Sequence, residues 1–79
     1  MATGPTPEES ARLIVSFFKD HNRRAGEALT LDLVNTEFST RGGRADDFNA
    51  GMEYALDQGW IEMPSSNVMR LTDAGFAAM

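Results

Sequence analysis

The hydropathy pattern of this chain predicts an α+β fold: three helices, a small antiparallel β-hairpin and a short C-terminal helical turn. Three observations predict it. Phe48, Met52, Ala55, Leu56 and Gly59 recur at steps of three and four, the spacing of one side of a helix. Thr6-Pro7-Glu8-Glu9 is a helix start, with Thr6 as N-cap, Pro7 in the first position and Glu9 closing a capping box. Ile61 and Met63, then Met69 and Leu71, alternate with polar residues on either side of Pro64-Ser65-Ser66-Asn67, which is the period of two strands and a turn.

The chain has 79 residues, enough for one small domain, placed at residues 6–79 behind a flexible lead-in at 1–5. It contains no cysteine, so neither a disulfide nor a thiolate zinc site is expected to support the core. A hydrophobic fraction of 42% suffices for a compact interior. No apolar run is long enough for a bilayer span and no signal peptide is visible, so a cytoplasmic protein without membrane partners is expected. A net charge of -5 and a pI near 4.6 argue against a surface that attracts nucleic acid everywhere.

In the first helix Leu13, Ile14, Phe17 and Phe18 form the apolar side, with Arg12, Val15, Ser16 and Lys19 outside it and an end near Asn22. A turn at Arg23 to Gly26 leads to a very short strand at Glu27 to Leu29. Thr30 caps a second helix that buries Leu31, Val34 and Phe38. Ser39 to Arg44, with its paired glycines, breaks that helix, and a third begins with Asp46 or a neighbour as its cap. Gly51 in its middle marks close approach by another helix, and Gly59 ends it in a left-handed conformation with Trp60 folded back on Ala55. After the hairpin, Thr72 caps a last turn anchored by Phe76.

Leu29 to Val34, Ala55 to Glu62 and Leu71 to Gly75, in this order and spacing, resemble the winged helix-turn-helix family over residues 7–79. The resemblance implies a non-enzymatic binding module, with double-stranded DNA as partner and transcription regulation as role. It places the third helix in the major groove, with the wing and helix ends on phosphates. Carried onto this sequence, Ala45, Asp46, Asp47, Asn49, Ala50 and Glu53 face the bases, and only Asn49 has the amide that pairs with adenine. Arg41 and Arg44 in the turn, Arg23 and Arg24 before the second helix, and Arg70 in the wing are the phosphate-binding candidates. The outward stripe of the third helix is nevertheless acidic at Asp46, Glu53 and Asp57.

That stripe supports an alternative, a domain for association with a basic protein or with itself, through Asp46, Glu53, Tyr54 and Asp57. Tyr54 joins Val15 and Met69 there in an exposed apolar patch. Asp46 and Asp47 also suit the first turn of a helix, where Arg41 and Arg44 are close enough to pair with them. His21 is a helix-end residue rather than a ligand, since a zinc site needs more donors than one histidine. No nucleophile and base arrangement and no phosphate loop is present, so catalysis, a cofactor and a metal are not expected.

Overall fold

The computed structural model describes residues 5–79. Among these, four helices and three strands follow the order α1 (Pro7–Asp20), β1 (Ala28–Thr30), α2 (Leu31–Thr40), α3 (Ala45–Asp57), β2 (Ile61–Ser65), β3 (Val68–Leu71) and α4 (Asp73–Ala78). Of the expected lead-in at residues 1–5, residues 1–4 lie outside the described residues. No helix among those described is long and apolar enough to cross a membrane.

Each helix start but one is a side-chain cap. Thr6 and Glu9 form the full capping box, with the Thr6 amide donating to Glu9 Oε1 at 2.8 Å and the Glu9 amide to Thr6 Oγ1 at 3.1 Å. Thr30 Oγ1 accepts from the Leu33 amide, and Thr72 Oγ1 from the Gly75 amide. The exception is α3. Its N-cap is Arg44, which makes no side-chain capping bond, so Asp46 is not the cap and instead sits inside the first turn with Asp47. The reason is the end of α2, which uses Gly42 and Gly43 and leaves Arg44 as the residue that enters the next helix.

The three long helices end in the same Schellman arrangement. A left-handed residue follows each cap: Asn22 (φ 57°), Gly42 (φ 85°) and Gly59 (φ 73°). The next amide then reaches back to the helix, from Arg23 to the Phe18 carbonyl, Gly43 to Phe38, and Trp60 to Ala55. The first helix therefore stops at Asp20, two residues before the expected Asn22.

The sheet is antiparallel in the order β1-β3-β2, with Leu29 opposite Met69 and Ile61 opposite Leu71. The short strand begins at Ala28 rather than Glu27. Pro64 and Ser65, expected in the turn, belong to β2, and the register shifts between Glu62 and Ser65. Proline has no amide to give the ladder, so the irregularity falls where Pro64 sits on an edge strand.

Helices and sheet enclose one core built on Ile14, Val15, Phe17, Phe18, Val34 and Phe38, closed by Phe48, Ala55, Ile61, Met69 and Leu71. Phe38 and Phe48 meet edge to face with ring centroids 5.3 Å apart. Gly51 lets α3 lie directly on α1: a Cβ there would fall 2.6 Å from Ser10 Cβ. Two expected surface residues belong to this interior. Val15 and Met69 are buried, so they form no exposed patch with Tyr54, which packs edge to face on Trp60 instead. Val15 turns inward because α1 is covered by α2 and α4 as well as by α3, which widens its buried arc. Two expected core residues are outside it. Leu56 is exposed because the close approach at Gly51 centres the buried side of α3 on Phe48, Gly51 and Ala55. Phe76 is 49% exposed, because in α4 it is Gly75 that is buried, pressed against the Trp60 carbonyl.

Candidate functional site

The outward side of α3 is set by what its inward side must do. With Phe48, Gly51 and Ala55 turned to the core, a period of 3.6 points Asp46, Glu53 and Asp57 to solvent, and all three are exposed. Asn49 and Leu56 flank this stripe and are exposed too. Leu56 is 39% exposed, one of only three large apolar side chains so exposed among the described residues. Tyr54 lies on the other flank, half-buried against Trp60.

The arginines do not gather around this face. Arg41 Nη2 donates to Asp20 Oδ2 at 3.2 Å, and the guanidinium lies over the Phe17 ring, directed along α1. Its partner is thus Asp20, where Asp46 and Asp47 were expected. The Arg70 guanidinium bonds Glu62 across the hairpin at 3.0 Å, a cross-strand pair that both residues' register dictates. Both pairs are about half exposed, so each holds its side chain weakly. Arg44 has no ion pair among the described residues and stands at the N-terminus of α3. It borders a cavity of about 300 Å³ that Arg41, Gly43, Leu13, Glu9 and Asp47 also line, so the two arginines face two carboxylates there. The tip of the hairpin, Ser66 and Asn67, carries no charge.

Arg23 and Arg24 sit elsewhere, in the turn after α1. With Lys19, Asn22, Phe76 and Met79 they line a second groove of about 360 Å³. Sequence reasoning missed this association and missed Leu56 as a surface residue. The only local signal was the shortness of the last apolar segment, too brief to bury both Phe76 and its neighbours.

Two side chains excluded from the site have structural partners. The His21 ring bonds the Glu37 carboxylate and ties the end of α1 to α2. Arg12 ties α1 to α4 and to the turn after α3, with its guanidinium on Glu8, on the Ala78 carbonyl at 3.0 Å and over the Trp60 ring at 5.0 Å. Compared with known protein families, curated proteins and solved structures, the chain matches none.

Proposed function

We propose that this chain is a winged-helix binding module whose recognition surface is the outward face of α3 and whose partner is a basic protein surface. The winged-helix reading is supported by the element order and by β1 completing the sheet on β3 beside the hairpin. The partner class rests on one observation: Asp46, Glu53 and Asp57 share one exposed stripe with no cation among them. Asp46 has a local reason to be acidic, since it lies in a first turn. Glu53 and Asp57 have none, because the second half of a helix favours cations. A groove-reading helix that led with these carboxylates would meet phosphates with like charge.

Double-stranded DNA is the second reading, and Arg44 favours it: a cation at the start of α3, next to Arg41 and without an ion pair among the described residues. Asn49 is then the base-reading residue and Arg70 a wing contact, once it leaves Glu62. Amide NMR titrations separate the two readings, one with a lysine and leucine peptide and one with a mixed-sequence duplex, each at low and moderate salt. Shifts along Asp46 to Asp57 with the peptide, lost on Glu53→Lys with Asp57→Lys, are the expected result. Shifts confined to Arg41–Asn49 and Arg70 with the duplex, fading as salt rises, would overturn it in favour of DNA. In that case Arg44→Glu weakens all duplexes alike and Asn49→Ala changes sequence preference.

A further inference from the structure

The seven lysines and arginines of this chain divide sharply. Arg12, Arg41 and Arg70 are held in ion pairs. Lys19, Arg23, Arg24 and Arg44 are in none among the described residues, and the first three of these line one groove. The walls of that groove are completed by Phe76, 49% exposed, and Met79, 40% exposed. A rim of free cations around two uncovered apolar side chains calls for a partner that is acidic and carries an apolar side chain of its own.

The chain itself bears such a surface. Its third exposed large apolar residue is Leu56, which flanks the Glu53 and Asp57 stripe of α3. All three uncovered large apolar side chains of the described residues are thus accounted for by one pairing, two in a cationic groove and one beside an anionic stripe. We propose that copies of this chain associate head to tail, the Glu53-Leu56-Asp57 face of one seated in the Lys19-Arg23-Arg24-Phe76 groove of the next. This rests on reading the α3 face as a recognition surface, and names what it recognises. The two patches share no residue, so the contact is heterologous, and a pair of copies keeps one free groove and one free face. Such contacts close into a ring or extend as a filament, and their charge complementarity is screened by salt.

Sedimentation velocity over a concentration series at low salt tests this with the full chain and two variants. One is Glu53→Lys with Asp57→Lys, which spoils the face; the other is Arg23→Glu with Arg24→Glu, which spoils the groove. Circular dichroism and urea unfolding establish that each is folded. The sedimentation coefficient of the parent chain is expected to rise with concentration and to fall back at moderate salt, while each variant alone stays monomeric. An equimolar mixture of the two is expected to associate where neither variant does alone, since the intact face of one meets the intact groove of the other and their two reversed surfaces are again opposite in charge. Leu56→Ala is expected to weaken the parent association roughly tenfold without changing its salt dependence. A monomeric parent chain overturns the proposal, and if the lysine and leucine peptide still shifts α3, the recognition face survives while self-association fails. Association of either variant alone to the parent's extent also overturns it.

Discussion

Ser10 and Gly51 share one crossing point, and each makes a separate demand on it. A Cβ added to Gly51 would lie 2.6 Å from Ser10 Cβ and 2.9 Å from the Ala11 amide nitrogen, and backbone cannot yield as a side-chain end can. Alanine gains about 1 kcal/mol over glycine in a helix interior, whereas forced overpacking costs about 1–3 kcal/mol. Gly51→Ala is therefore expected to lower the unfolding free energy by about 1 kcal/mol in urea titrations, and Gly51→Val by more. An unchanged or raised midpoint would mean that the helices part at little cost. The Ser10 hydroxyl is fully buried and has no hydrogen-bond partner among the described residues, a state that costs about 1–3 kcal/mol. Ser10→Ala removes that cost and keeps the methylene, so it is expected to stabilise the fold by about 1 kcal/mol. The close approach at Gly51 was legible in the sequence, because a glycine inside a helical pattern needs a packing reason. That Val15 is buried was not: one helix's periodicity reports the width of its apolar side, not how many neighbours cover it.

At the level of elements, starts and stops are the most legible features, since they are local chemistry. Thr6, Thr30 and Thr72 cap the helices assigned to them, and Gly59 ends α3 with Trp60 bonded back to Ala55. The start of α3 was misread because its location depends on how α2 ends, which is set by Gly43 lying against Phe38. On the proposed role of α3, its composition sets stability against binding. Asp57 occupies the last turn, where the helix dipole disfavours an anion, and it follows Glu53 by four residues, a like-charge pair. Replacing it by lysine reverses both effects, each a few tenths of a kcal/mol. Asp57→Lys is expected to raise stability by about 1 kcal/mol, read as a higher urea midpoint with an unchanged slope, and at the same time to weaken binding through the α3 face. Loss of stability would instead assign Asp57 a structural role.

For the molecule as a whole, the charge balance decides more than any one pair. Three arginine–carboxylate ion pairs are present among the described residues and are partly solvent-exposed, so each is worth little. Against them stands an excess of five negative charges on a chain of 79 residues, and self-repulsion of that kind opposes the compact state. The sequence made this excess plain and placed Asp46, Glu53 and Asp57 on one stripe. It could not show that Arg41 and Arg70 are drawn to Asp20 and Glu62, or that Arg23 and Arg24 meet Lys19 and Phe76, because those partners are brought together only by the tertiary fold. Screening weakens the repulsion and the pairs together, and the repulsion is the larger sum. Raising sodium chloride from low to physiological concentration is therefore expected to increase the urea midpoint, measured at a protein concentration low enough to exclude association, which would itself stabilise the native state. The same titration on Glu53→Lys with Asp57→Lys should be nearly flat, since those substitutions bring the net charge close to zero. A midpoint that falls with salt in the parent chain would reverse the ranking and make the three arginine ion pairs the dominant electrostatic contribution to the fold.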